Sequence, residues 1–172
     1  MRYITKTANE TKEVAARCAK KIAQQKPGRR AVVVGLIGDL GSGKTTFVQG
    51  FARALGIRRR MVSPTFTIMR RYRIPHRTSA KRSKHSNYKL PRHRRGLGGR
   101  AITNYKYLIH VDAYRVHKPA ELRIIKFESW LMDPTAIVLI EWADLVEKKF
   151  RRGARIIRFH HTLDSSRTIS VP

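Results

Sequence analysis

Eight consecutive residues, Gly38-Asp39-Leu40-Gly41-Ser42-Gly43-Lys44-Thr45, have the types and spacing that hold a phosphate chain. The glycines let the backbone turn tightly enough for successive N–H groups to point at phosphate oxygens. Lys44 adds a mobile positive charge at the β- and γ-phosphates, and the Thr45 hydroxyl can ligand Mg²⁺. A nucleotide-bound magnesium also needs an acid at the carboxyl end of a neighbouring strand. Two short apolar runs end that way, 107–111 before Asp112 and 136–140 before Glu141. The pattern does not rank the two acids. In one division Asp112 orients a metal-bound water while Glu141 contacts the metal or activates the attacking water. The plainer alternative is that each carboxylate merely caps the element that follows it.

A phosphate loop works only between a strand and a helix. Residues 31–37 form a continuous apolar run bounded by glycine, as in a strand buried on both faces. Residues 45–55 return to helical spacing through Phe47, Val48, Phe51 and Leu55, and Gly56 ends them. Strand, glycine-rich turn and helix open a doubly wound α/β fold. The prediction is therefore α/β: a single P-loop NTPase-like three-layer domain over 1–172, with a mainly parallel central sheet. Residues 11–25 read as a helix, with Val14, Cys18 and Ile22 on one apolar stripe. A strand fits 66–72, and one helix fits 119–131 with Pro119 in its first turn. The tail, 154–159 and 168–171, reads as an antiparallel hairpin at a sheet edge, turned at Asp164-Ser165-Ser166.

Charge is the unusual bulk property. Thirty-eight Lys and Arg against 11 Asp and Glu give the 172-residue chain a net charge of +27, a field that attracts polyanions such as RNA. From Arg70 to Lys106 there are 13 basic residues and no acid, broken by Pro75, Pro91, Gly96, Gly98 and Gly99. Such a stretch buries too little apolar surface to offset its ordering entropy, so 75–101 is expected to be a mobile basic insertion. Apolar residues make up 41% of the chain, and none of their runs approaches the length of about 18 needed to span a membrane. Without a signal-like N-terminus, the expected location is the cytoplasm. Cys18, alone, forms no internal disulfide. Histidines 76, 85, 93, 110, 117, 160 and 161 have no cysteine partner at zinc spacing, so no structural metal is expected.

Four motifs in series add to this reading. The phosphate loop continues into Thr46-Phe47 and is followed by Ser63-Pro64-Thr65-Phe66, His110-Val111-Asp112-Ala113-Tyr114-Arg115 and Ile140-Glu141-Trp142. In that order, from about Thr11 to Arg167, the chain resembles the TsaE (YjeE-like) family of bacterial tRNA threonylcarbamoyladenosine biosynthesis. The resemblance implies a P-loop ATPase that binds ATP and Mg²⁺, hydrolyses ATP slowly alone, and works with TsaD and TsaB. Together they support transfer of a threonylcarbamoyl group onto the adenosine beside the anticodon in tRNA. It also implies that Lys44 and Thr45 serve phosphate and metal, and that Thr65 lies in a switch-like segment sensing the γ-phosphate. Asp112 becomes the Walker-B-type acid and Glu141 the metal-site or water-activating carboxylate, with Trp142 beside it. Thr11 and Arg167 match residues near the nucleotide. The chain departs from the family in Ser42, where alanine is usual, in Ala113, and above all in the basic insertion. That segment is expected near the switch, either in contact with tRNA or another RNA through its cations and Tyr88 or as a solvated loop with no partner.

Two rival functions share these residues. A small nucleoside or metabolite kinase also opens with a P-loop, and an arginine-rich lid could clamp phosphates; it would need an acceptor other than water. An RNA-binding module with ATP as a structural ligand would keep its function without hydrolysis. No Asn-Lys-x-Asp run is present to read guanine.

Overall fold

Six residues, Val-Val-Val-Gly-Leu-Ile, form strand β2 (Val32–Ile37), with a parallel partner on each side. The computed structural model describes residues 1–59, 61–64, 67–75, 103–116, 118–150, 153–162 and 166–172. In chain order the remaining strands are β1 (Arg2–Thr5), β3 (Met69–Arg73), β4 (Tyr107–Asp112), β5 (Ala136–Glu141), β6 (Arg155–His161) and β7 (Arg167–Ser170). One seven-stranded sheet runs β1-β7-β6-β2-β5-β4-β3. β6, β2, β5 and β4 are parallel, and β1, β7 and β3 pair antiparallel at the two sides.

Helices α1 (Ala8–Ala23) and α2 (Lys44–Ala54) cover one face. α1 begins where Thr7 Oγ1 accepts the Glu10 N–H and the Glu10 carboxylate accepts the Lys6 N–H, at 3.2 and 2.7 Å. That bond to Lys6 holds the exposed Glu10 carboxyl below its ordinary range. α1 and α2 meet at Gly50, where an added Cβ would lie 2.5 Å from Lys12 Cα. Under them pack Val34, Leu36, Phe47, Phe51, Leu108, Leu139 and Phe159, with the Phe47 and Phe159 rings edge to face at 5.5 Å. The opposite face is covered by α3 (Pro119–Ile124), α4 (Phe127–Met132) and a 3₁₀ helix (Ala143–Lys149) over Ile109, Val111, Val138 and Ile140. The α/β three-layer fold expected from the sequence is thus observed.

Three local expectations need correction. The helix expected over 119–131 is two, because Lys126 takes φ +53 and breaks the hydrogen-bond ladder between them. The strand expected from 66 starts at Met69, after Ile68 at φ +59; Thr65 and Phe66 lie outside the described residues. The β6–β7 hairpin is antiparallel as expected but is not the sheet edge, since β1 pairs with β7 outside it. Residues 76–101 of the expected insertion, like the turn residues Asp164 and Ser165, lie outside the described residues. β3 leaves toward Pro75, and Thr103 leads back to Tyr107, at the end of β4 opposite Asp112. Pro75 lies near Gly56, after the far end of α2.

Candidate active site

The parallel strands deliver their carboxyl ends to one place. Asp112 and Glu141 are the last residues of β4 and β5 and stand opposite each other in register. Along β4, Leu108, His110 and Asp112 alternate with Ile109 and Val111 and so face the α1–α2 side. Ile137, Leu139 and Glu141 do the same on β5. α2 starts over this face, so its first turn meets the two acids.

β2 leads into the phosphate loop through Gly38 at φ +152. A Cβ there would lie 2.5 Å from the Phe159 carbonyl, so only glycine fits. Gly41 and Gly43 also take positive φ, +76 and +99, and Gly43 caps α2. Ser42 is buried with its N–H on the Asp39 carbonyl, while Asp39 and Leu40 are exposed. The loop encloses the positive end of an 11-residue helix. Thr46, half buried, is the helix's third residue.

Lys44 is 5% exposed, and its Nζ donates to the Gly38 and Asp39 carbonyls at 2.6 and 2.8 Å. Nζ also lies 3.9 Å from the ring centroid of Trp142. Trp142 sits there because the residue after β5 takes φ +57, which turns its side chain back over the loop. Tyr114 also packs against the Trp142 indole, centroids 5.0 Å apart. Burial pushes the Lys44 ammonium below its usual range, opposed by the charges of Glu141, Asp112, Asp39 and Asp144.

Thr45 Oγ1 donates to Glu141 Oε2 at 2.7 Å. Glu141 Oε1 lies 2.8 Å from His110 Nε2. Asp112 accepts from Ser63 Oγ at Oδ2 and from the Tyr114 N–H at Oδ1. Both acids are at most 4% exposed. Across the loop, a Cβ on Gly43 would lie 3.2 Å from Arg167 Cδ and 3.8 Å from Thr11 Cγ2. Thr11 is buried and 3.0 Å from the β1 hydroxyl of Thr5, while Arg167 Nε is buried without a hydrogen-bond partner among the described residues. Thus Thr11, Lys44, Thr45, Asp112, Glu141, Trp142 and Arg167, spread over most of the chain, meet around one loop. Thr65 lies outside the described residues.

Sequence reasoning weighed His110 only as a metal ligand and assigned no role to Ser63 or Tyr114. Period-2 spacing before Asp112 could have placed His110 on the acids' face; its contact with Glu141 needed the strand order.

Comparison with known proteins agrees with this architecture. The family model described as Threonylcarbamoyl adenosine biosynthesis protein TsaE matches residues 5–91 and 100–169. The tRNA threonylcarbamoyladenosine biosynthesis protein TsaE of Bacillus subtilis is 32% identical over 99% of this chain and 84% of its own length. That of Synechocystis is 52% identical over 73% of this chain and 61% of its own length. The crystal structure of Bacillus subtilis YdiB superposes with a TM-score of 0.64 at 27% identity, over 99% of this chain and 83% of that one. With the motifs in one site and the match running nearly end to end, the chain belongs to the TsaE family of tRNA threonylcarbamoyladenosine biosynthesis.

Proposed function

We propose that this protein is a Mg²⁺-dependent ATPase that supports threonylcarbamoylation of the adenosine beside the anticodon in tRNA, acting with TsaD and TsaB. The observation that carries the proposal is the Thr45–Glu141 hydrogen bond of 2.7 Å at the mouth of the phosphate loop, with Asp112 in register beside it. A hydroxyl and two carboxylates are hard oxygen donors, the kind magnesium takes. Among the described residues no three His, Cys, Asp or Glu side chains form a metal-holding group. The donors therefore suit a cation that arrives with phosphate oxygens rather than one caged by protein.

In this reading the amides of 38–45 and the start of α2 hold the phosphates of ATP. Lys44 gives up the Gly38 and Asp39 carbonyls and turns its charge to the β- and γ-oxygens. Thr45 and Asp112 would hold the magnesium, directly or through water, which when bound neutralises charge developing on the phosphates. Glu141 accepts a proton from the attacking water as its oxygen bonds to the γ-phosphorus and the bond to ADP breaks. Trp142 and Tyr114 wall the loop, and Arg167 and Thr11 close its other side.

The test is reconstitution with TsaB, TsaD, tRNA and threonylcarbamoyl-adenylate, following multiple-turnover modification. The proposal expects turnover to need both this protein and ATP. Equal turnover without ATP, or phosphate transfer to a nucleoside instead of water, contradicts it. We further propose that the basic segment 75–101 contacts tRNA. Deleting 76–100 should weaken tRNA binding and flatten its salt dependence, and unchanged affinity and slope would end that part.

A further inference from the structure

We propose that His110 is a positioning residue that fixes which oxygen of Glu141 faces the phosphate loop; the inference rests on the ATPase reading above. His110 is fully buried on β4, two residues before Asp112. Register pairs His110 with Leu139, and Glu141 lies two residues further along β5 on the same face. From there the ring reaches Glu141 Oε1 at 2.8 Å, while Oε2 accepts the Thr45 hydroxyl at 2.7 Å. An ionised carboxylate only accepts, so Nε2 carries the hydrogen in this contact. One oxygen is occupied from behind, and the other is aimed at α2.

The ring's second nitrogen shows that packing does not explain it. His110 Nδ1 is buried and has no hydrogen-bond partner among the described residues. Around it on this face are Leu108, Ile137 and Leu139, all apolar. A leucine would fill similar space without an unmet polar atom, which costs stability when buried. What histidine adds, and leucine cannot, is a donor at Oε1. A carboxylate held at one point can rotate and offer either oxygen; held at two, it keeps a single free direction. Groups behind a catalytic or ligating carboxylate typically change activity or metal affinity by roughly 10- to 100-fold.

The test compares wild type with His110→Leu and His110→Gln, the latter able to donate from its amide nitrogen toward the same oxygen. His110→Leu should slow ATP hydrolysis per folded molecule roughly 10- to 100-fold and keep its affinity for ATP in the absence of magnesium. His110→Gln should recover most of the rate. In nucleotide-free protein, ring ¹⁵N spectra should show a buried Nε2–H histidine whose signals shift in Glu141→Ala. A His110→Leu rate equal to wild type, a His110→Gln rate as low as His110→Leu, or a histidine spectrum indifferent to Glu141→Ala would overturn the inference. Absence of hydrolysis by wild type would instead sink the ATPase reading, and the spectra would still decide the His110–Glu141 contact.

Discussion

On the α3–α4 side of β4 and β5 the strand residues are apolar throughout: Ile109 and Val111 from one, Ala136, Val138 and Ile140 from the other. On the α1–α2 side the same strands begin with Leu108, Ile137 and Leu139 and end in His110, Asp112 and Glu141, all buried. The two faces differ in what burial costs. An apolar side chain gains from leaving water, roughly 1.5–3 kcal/mol when fully buried. A buried carboxylate must be repaid by partners, here Thr45 and His110 for Glu141, Ser63 and the Tyr114 amide for Asp112. The sheet thus has an apolar layer on one side and concentrates its buried polar groups at one end of the other.

If that division is right, changes on the two faces should separate. Glu141→Ala should lower ATP turnover about 100- to 10,000-fold, the usual worth of a general base, while nucleotide still binds; wild-type rates in a hydrolysis assay would show the acid wrongly assigned. On the apolar side, Phe127→Ala empties a fully buried position. It should cost about 3–5 kcal/mol and lower the melting temperature by roughly 10 °C, yet leave turnover per folded molecule unchanged; a selective loss of rate would break the comparison. Gly50→Ala sharpens it, because Gly50 is on the chemical side but serves packing against Lys12. Its expected cost is about 1–3 kcal/mol, read by denaturant titration, with the site's affinity for ATP intact. The smallest effect concerns Glu10. Its carboxyl pKa is depressed in the folded protein, so its contribution is present above the ordinary carboxylate range and lost as pH falls through the lowered value. Comparing the pH dependence of melting for Glu10→Gln and wild type should show a small difference that fades in acid.

The glycine-rich turn between β2 and α2 and the positions of the strand-end acids could be read from one chain because each is a local pattern: glycine spacing, a β-strand's apolar run, a charge where the run stops. Other features were not local. β1 is four residues long and becomes an edge only by pairing with β7, near the far end of the sequence. Its Thr5 then braces Thr11, which explains how a residue of α1 reaches the loop. The break between α3 and α4 rests on a lysine at positive φ, a conformation that residue type does not announce. Where the chain leaves β3 and returns to β4 was not local either, because strand direction sets where a loop emerges. The link from His110 to Glu141 needed the order of strands before it had any meaning.

Calorimetric titration with ATP in the presence of Mg²⁺, on wild type and Lys44→Ala side by side, probes the account most directly. Wild type should bind one nucleotide, and the variant, deprived of the ammonium beside Gly38 and Asp39, should bind about 100-fold more weakly or not measurably, a difference of about 3 kcal/mol. No heat of binding with wild type, or equal affinity in both proteins, would contradict it.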